Sequence, residues 1–158
     1  MKIKSENIPD GYLIKQFLPA NYCDIFSYTR KTSKMITPDD VQVAFWTIQP
    51  SWIQNLFKIR NILVKPFGLK GEEKSMNEIE DCIRNSCNYR FISIPAKSES
   101  ETVLCLDDKH LKAYLSVHID KAENNTKTIE TITLVQLKNI LGYLYFYPII
   151  PFHNIVVK

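Results

Sequence analysis

Residues 111–120 read LKAYLSVHID, and the alternation in this stretch decides the fold class. Every second residue is apolar, and the residues between them share the opposite face. A period of two residues is that of a β-strand, whose side chains point alternately to the two faces of a sheet. The pattern is typical of an antiparallel strand with one buried and one solvated face. The sequence therefore predicts that His118 faces solvent on this strand.

Four other runs rich in β-branched and aromatic residues surround this strand in the sequence. They are predicted as strands at Cys23–Arg30, Tyr89–Ile94, Glu101–Leu106 and Thr126–Leu137. The joint before LKAYLSVHID reads LDDKHL at 106–111. Aspartate favours tight turns because its side chain accepts hydrogen bonds from nearby backbone amides. We therefore expect a hairpin corner at this joint.

Two helices are predicted between the first and second strands. Thr37 can cap the first helix, and Pro38 suits its first turn. The apolar residues that recur along it at helical spacing are Val41, Ala44, Phe45 and Ile48. The second helix is predicted from Trp52 to about Lys65, and Pro66 ends it.

Residues 71–88 are polar, and their pattern is ambiguous. Met76, Ile79 and Ile83 lie at a spacing that allows one short helix there.

The C-terminal residues 139–157 read NILGYLYFYPIIPFHNIVV and are almost wholly apolar. Such a run is long enough to cross a bilayer, but its prolines, His153 and Asn154 argue against a membrane anchor. The sequence favours a long, buried, proline-kinked helix that closes over a curved sheet. A segment that inserts into a membrane surface is the remaining alternative. The element order therefore predicts an α+β fold.

Length and charge narrow the class of protein. The 158 residues fit one domain, residues 1–158, with a core of its own. The net charge of +3 is spread along the chain, which argues against nucleic-acid binding because that requires a concentrated basic face. Residues 1–10 lack the apolar core of a signal peptide. Four cysteines without a CxxC pair fit reduced thiols in the cytoplasm.

No cofactor fingerprint is present. The four glycines fit neither GxGxxG nor a phosphate-binding loop. Cys82 and Cys87 are separated by four residues, a poor match to zinc-site spacings. The sequence therefore predicts neither a cofactor nor a metal.

Several short motifs resemble a known family. They are PSW at 50–52, FKIRN at 57–61, PFGLK at 66–70, DDKHL at 107–111, and NILG at 139–142 continuing to PFH at 151–153. The order of elements resembles the helix-grip fold of the START-like (SRPBCC) superfamily. Within it, the motifs resemble an uncharacterised, mostly bacterial family of unknown function. The chain departs from that family's pattern at Ala113, Tyr143 and Asn154.

This resemblance implies a curved antiparallel sheet wrapped around a long C-terminal helix, with a lipophilic cavity between them. It implies no established activity. Function must therefore be argued from the side chains themselves.

Three groups of polar residues could carry chemistry. Asp107, Asp108 and His110 could form a general acid–base pair or only a hairpin turn. His153 could meet His110, or be a hydrogen-bonded core residue. Arg60 lies among apolar helix positions and, if buried, needs an acid such as Asp107 or Asp108. It would then form a structural ion pair or hold a ligand carboxylate or phosphate.

The leading hypothesis is a cytoplasmic protein that binds a small apolar or amphipathic ligand. The predicted ligand-binding residues are Arg60, Asp108, His110 and His153. One alternative is a cyclase, dehydratase or hydrolase in the same cavity, with His110 or His153 as the base and Arg60 stabilising an oxyanion. The other is a structural or partner-binding module with a filled interior and an exposed apolar patch.

Overall fold

The computed structural model of the chain describes residues 8–48, 76–122, 125–144, 146–147 and 150, with only the backbone at positions 76, 121 and 122. The predicted second helix with Arg60, and the PFH motif with His153, lie outside the described residues.

The described part of the chain forms a five-stranded antiparallel sheet with helices, an α+β fold as predicted. A 3-10 helix, Leu13–Phe17, precedes the first strand. The other elements are β1 (Tyr22–Lys31), α1 (Pro38–Thr47), α2 (Met76–Asn85), β2 (Ile92–Lys97), β3 (Glu101–Asp107), β4 (Leu111–Ala122) and β5 (Thr126–Leu137). The strand order is β1-β5-β4-β3-β2, so the first strand pairs with the last and β2 to β5 form a meander.

Helix α1 begins as the sequence predicts, but it buries a different face. Thr37 Oγ1 accepts a hydrogen bond from the Asp40 amide, and Asp40 returns one to the Thr37 amide, which forms a capping box. Gln42 is fully buried because its side-chain amide donates to strand carbonyls of Thr102 and Leu115. Ile48, predicted on the buried face, is exposed. Hydrogen bonds to the sheet therefore set the orientation of the helix.

The short helix in residues 71–88 is confirmed as α2, with Ile79 and Ile83 buried. The strand predicted at Tyr89–Ile94 begins later, at Ile92. Tyr89 pairs with Ile92 across a tight turn in which Arg90 has a positive φ of 55°.

One face of the sheet, here the helix-covered face, packs against α1 and α2. Leu104 and Leu115 of the sheet meet Trp46 of α1 and Ile83 of α2. Further along the same face, Phe146 of the C-terminal segment completes a cluster with Tyr22, Leu111 and Val135.

The opposite face, here the segment-covered face, lies under residues 8–20. Ile8 and Ile14 of this N-terminal segment pack on strand residues that include Val103, Tyr114 and Leu134. The prediction that one side of β4 faces solvent is therefore wrong. Tyr114 and Ser116 are buried because the N-terminal segment supplies a second cover.

The described residues do not show the long C-terminal helix that the sequence predicts. In that region residues 140–144, 146–147 and 150 are helical. No helix among the described residues is long and apolar enough to span a membrane. Several apolar side chains of this segment are exposed, among them Ile140, Leu144 and Tyr147.

Candidate functional site

The DDKH corner is a hairpin turn between β3 and β4, as its composition predicts. Asp108 Oδ1 accepts a hydrogen bond from the Lys109 amide at 2.6 Å. The Asp108 amide donates to the Leu111 carbonyl at 3.0 Å and closes the turn. The carboxylate of Asp108 therefore stabilises the backbone of the turn.

His110 joins this turn to the start of the C-terminal segment. The Asn139 side-chain amide donates to His110 Nδ1 at 3.3 Å, and the Lys138 amide donates to the His110 carbonyl at 2.9 Å. Asn139 Oδ1 also accepts from the Gly142 amide at 3.0 Å. The predicted motifs DDKHL and NILG thus meet in one joint. Within the described part of the chain, no carboxylate hydrogen-bonds to the His110 ring.

Gly142 allows the backbone of the C-terminal segment to lie close to the backbone of His110. A Cβ at this position would lie 2.3 Å from the His110 carbonyl oxygen, well inside van der Waals contact. Only glycine lets the two backbones approach to this distance.

Asp107, one of the acids proposed for Arg60, forms ion pairs with two lysines of the described residues. It contacts Lys138 and lies 3.4 Å from Lys112. The hydrogen bond from Lys138 lowers the pKa of the Asp107 carboxyl, and Lys112 adds to the effect. Asp107 and Asp108 are therefore bound by their own hairpin and its neighbours.

A polar group that the sequence reading missed lies on the helix-covered face. Asp24 is 1% exposed and accepts a hydrogen bond from the Tyr22 hydroxyl at 2.8 Å. Thr133 is its direct partner across β1 and β5, and is 5% exposed. Thr133 Oγ1 is buried and has no hydrogen-bond partner among the described residues. A buried hydroxyl of this kind can bind a further polar atom.

Tyr22 connects this group to the C-terminal segment. Its ring meets the ring of Phe146 edge-on, with centroids 5.1 Å apart. Burial raises the pKa of the Tyr22 hydroxyl far above its ordinary value, and the hydrogen bond to Asp24 raises it further. Tyr22 is therefore a protonated hydrogen-bond donor at neutral pH.

The sequence contained a signal for Asp24 but none for Thr133. Asp24 is an acid within the apolar start of β1, which reads YCDIF at 22–26, and a charge is costly to bury there. Thr133 is a common strand residue, and its lack of a partner depends on the tertiary structure.

A second buried carboxylate, Glu101, lies on the segment-covered face, and protein donors bind it. Glu101 Oε1 accepts from Ser116 Oγ at 2.6 Å and from the Ile14 amide at 3.0 Å. Its Oε2 accepts from the Leu13 amide at 2.5 Å. Glu101 thus fastens the 3-10 helix to the sheet.

His118 lies beside this anchor, and the prediction that it faces solvent is wrong. Its ring stacks on Tyr12, with centroids 4.0 Å apart, and is half-buried. The Tyr12 hydroxyl donates to Glu130 at 2.6 Å. The N-terminal segment therefore covers a histidine that alternation alone placed in water.

Comparison with known protein families yields a match over most of the chain. The sequence model of a family described as "Protein of unknown function (DUF2867)" matches residues 17–158. The chain belongs to this family. No curated protein and no solved structure matches the chain. The predicted resemblance to an uncharacterised family is confirmed, whereas membership of DUF2867 does not by itself establish the START-like superfamily.

The DUF2867 match begins at Phe17, the last residue of the 3-10 helix. It includes Asp24 and Thr133 as well as the joint of His110 and Asn139.

The cysteines of this DUF2867 protein are free thiols. Cys23, Cys82 and Cys105 are buried, and Cys87 is exposed. Burial, together with the nearby Asp24 carboxylate, raises the pKa of the Cys23 thiol to about 11. Among the described residues, no three His, Cys, Asp or Glu side chains are grouped so that they could hold a metal ion.

Proposed function

We propose that this DUF2867 protein binds a small apolar or amphipathic ligand between the helix-covered face of its sheet and the elements that cover that face. The observation that carries the proposal is the buried Thr133 hydroxyl, which has no hydrogen-bond partner in the described residues and lies beside the buried Asp24. Ligand sites are mostly apolar and contain a few placed polar groups.

The free energy of burial supports this interpretation. A hydroxyl removed from water without a hydrogen bond costs about 1 to 3 kcal/mol. Valine would fit the same strand position without that cost. A bound ligand that hydrogen-bonds to Thr133 would offset the cost and explain why a hydroxyl is present.

The strand order supports a helix-grip arrangement for the whole chain. β1 lies beside β5, so the helices between β1 and β2 pack on one face of a continuous meander. Phe146 lies on that same face, next to Tyr22 and Val135. We propose that the remainder of the C-terminal segment closes this face over the ligand.

The ligand-binding residues predicted from the sequence stay proposals. Asp108 and His110 lie in the turn between β3 and β4, beside the start of the C-terminal segment. His110 is five residues, about 17 Å along the strand direction, from Leu115, the cross-strand neighbour of Thr133. We propose that they position the closing segment at one end of the site. Arg60 and His153 would supply polar contacts to the ligand. Substituting each by methionine should weaken ligand binding if they do.

We favour binding over catalysis because, among the described residues, the His110 ring is bound by Asn139 and no carboxylate hydrogen-bonds to it. The enzyme alternative would need His110 or His153 to act as a base beside Arg60. That alternative predicts turnover that is lost in His110→Gln, whereas binding alone predicts no turnover.

Free thiols at positions 23, 82, 87 and 105 support a cytoplasmic location, where cysteines stay reduced. Cell fractionation tests this proposal, and it fails if the protein is found outside the cytoplasm.

The decisive experiment identifies what the purified protein carries. Native mass spectrometry and organic extraction should reveal an apolar or amphipathic compound, or delipidated protein should bind added long-chain amphiphiles. Ala113→Leu, which adds bulk on the helix-covered face, should reduce occupancy. Ala96→Leu adds the same bulk to the segment-covered face and should not. No bound compound and no binding of any amphiphile would contradict the proposal.

The partner-binding alternative is favoured by a different observation, the exposed Ile140, Leu144 and Tyr147. A self-associating surface of this kind predicts a molar mass that rises with protein concentration in light scattering. A constant monomer mass would contradict self-association at this surface.

A further inference from the structure

We propose that Arg30 and Lys127 together bind a phosphate group at the end of the sheet where β1 ends and β5 begins. The site is separate from the apolar site proposed above, because Lys127 and Thr133 are six residues apart on β5, about 20 Å along the strand. The class of the ligand follows from a local excess of positive charge that the described residues do not neutralise.

Basic residues occupy neighbouring register positions on three strands at this end of the sheet. Arg30 on β1 is the direct partner of Lys127 on β5, and the β4 partner of Lys127 is position 121, which is also a lysine. Direct partners on antiparallel strands share a face and have Cβ atoms about 5 Å apart. Like charges directly opposite each other destabilise a sheet. A bound anion would offset the repulsion between Arg30 and Lys127.

Lys127 is buried without a counter-ion among the described residues. Its side chain is 9% exposed, and its ammonium donates to the Lys34 carbonyl in the loop that follows β1. An ammonium has three donors, and lysine is rarely buried unless it is paired. In the described part of the chain, no carboxylate forms an ion pair with Lys127 or Arg30. The row therefore has unused capacity to bind a negative group.

The acids at the start of α1, which follow this loop in the chain, pair with other cations. Asp39 forms an ion pair with Lys97 at 2.6 Å, and Asp40 forms one with Arg84 at 3.2 Å. At the opposite end of the sheet, the lysines beside Asp107 are paired with that carboxylate. The absence of such an acid beside Arg30 and Lys127 distinguishes this row from the other charged positions described above.

A phosphate group fits these donors. A phosphate monoester carries a charge of about −1.5 to −2 near neutral pH and has three strong acceptor oxygens. A guanidinium binds phosphate through two parallel N–H donors, whereas an ammonium binds it as a point charge. Arg30 and Lys127 thus supply the positive charge that one phosphate dianion requires. Arg30 is exposed, so a ligand can reach the site from solvent.

The probes are inorganic phosphate and phosphatidylcholine vesicles with and without phosphatidate. Calorimetric titration of the full-length protein should show saturable binding of inorganic phosphate or, in its place, the protein should sediment with the phosphatidate vesicles. Lys127→Gln and Arg30→Gln should each weaken that binding about tenfold or more, because each removes a charge-assisted hydrogen bond. Lys31→Gln is the matched control. It removes the same charge from the next residue of β1, which lies on the opposite face, and should leave binding unchanged.

The vesicle experiment identifies the source of the phosphate group. A free phosphate ligand predicts that inorganic phosphate binds and that phosphatidate does not increase sedimentation of the protein with vesicles. A lipid headgroup predicts that phosphatidate increases sedimentation and that Lys127→Gln abolishes the increase. Either result supports the site.

The alternative is that Lys127 only fastens the loop that contains Lys34 to β5. It predicts that neither probe binds and that Lys127→Gln lowers the free energy of unfolding in urea, whereas Arg30→Gln does not. Failure of both probes to bind the wild-type protein would overturn the proposal. Wild-type affinity in either variant, once circular dichroism shows that it is folded, would also overturn it. Because Arg30 is exposed, Arg30→Gln tests the site even if Lys127→Gln does not fold.

Discussion

The two faces of the sheet each bury a carboxylate, but the surroundings of the two carboxylates differ. Glu101 on the segment-covered face accepts three hydrogen bonds, from Ser116 and from the Leu13 and Ile14 amides. Asp24 on the helix-covered face accepts from Tyr22 and lies beside a buried hydroxyl that has no hydrogen-bond partner in the described residues. Among the described residues, Thr133 Oγ1 on the helix-covered face and His118 Nδ1 on the segment-covered face are both buried without a hydrogen-bond partner. The difference between the two carboxylates therefore indicates that Glu101 anchors the segment, and it assigns no such anchoring role to Asp24.

The contrast also explains the role of the N-terminal segment. Its 3-10 helix contributes Ile14 to the core, and Glu101 satisfies two amides at the start of that helix. The segment is therefore a structural cover of the sheet.

The largest effect is expected at Glu101. Glu101→Ala leaves three donors without an acceptor, of which the Ser116 hydroxyl and the Ile14 amide are buried. It should lower the free energy of unfolding by about 3 kcal/mol or more. Urea denaturation followed by circular dichroism measures the loss. Glu99→Ala, an exposed glutamate two residues away, is the matched control. If both variants lose the same small amount, the anchoring role of Glu101 is wrong.

Gly142→Ala should have the next largest effect. The new Cβ would meet the His110 carbonyl at 2.3 Å, so the C-terminal segment must shift. We expect a loss of about 2 kcal/mol in the free energy of unfolding, because overpacking costs about 1 to 3 kcal/mol. Ile140→Ala, at an exposed position of the same segment, should be nearly neutral in the same assay. Equal stabilities of Gly142→Ala and wild type would show that the joint is loose.

Cysteine labelling distinguishes the two covers. Cys23 and Cys105 lie on the segment-covered face, and Cys82 lies beneath the helices. Burial raises the pKa of Cys82 to about 11, so it is a protonated, slow nucleophile at pH 8. Mass spectrometry should find Cys87 modified first in the native protein.

Glu101→Ala should then accelerate labelling of Cys23 and Cys105 at least tenfold relative to Cys82, because only the segment cover is loosened. Equal acceleration of all three buried thiols would mean that the covers open together.

The smallest effect is expected at the exposed ion pairs of Asp107. Lys138 and Lys112 lower the pKa of its carboxyl, so the stabilisation exists above the unfolded-state value of about 3.9 and is lost as pH falls through the folded-state value. Because the side chains are partly exposed, Asp107→Asn should cost only a few tenths of a kcal/mol at pH 7. The difference from wild type should vanish near pH 2. A difference that persists there would indicate a cause other than ionisation.

Local pattern predicted the sheet but not its second cover. Alternation predicted that residues 111–120 form a strand, and the aspartates predicted a hairpin turn before it. Both elements were confirmed. The polar face of β4 was assigned to solvent because nothing in LKAYLSVHID reveals that residues 8–20 pack on it. The buried face of α1 was missed for a similar reason, since Gln42 is buried by hydrogen bonds to distant strands.

The candidate site was predictable only in part. Asp108 and His110 were correctly placed at a hairpin corner, yet their ligand-binding role stays a prediction. Asp24 could have been suspected because it is an acid among the apolar residues YCDIF at 22–26. Thr133 could not, because whether the hydroxyl of a strand residue finds a hydrogen-bond partner depends on the tertiary structure.

The most direct test compares two buried hydroxyls on opposite faces of the sheet. Ser116 donates to Glu101, whereas Thr133 has no hydrogen-bond partner in the described structure. In ligand-free protein, Ser116→Ala should lower the free energy of unfolding by about 1 to 2 kcal/mol. Thr133→Val should leave it unchanged or raise it by about 1 kcal/mol, because valine removes an unsatisfied polar group. If Thr133→Val instead costs as much as Ser116→Ala, the Thr133 hydroxyl serves the fold, and the contrast between the two faces is wrong.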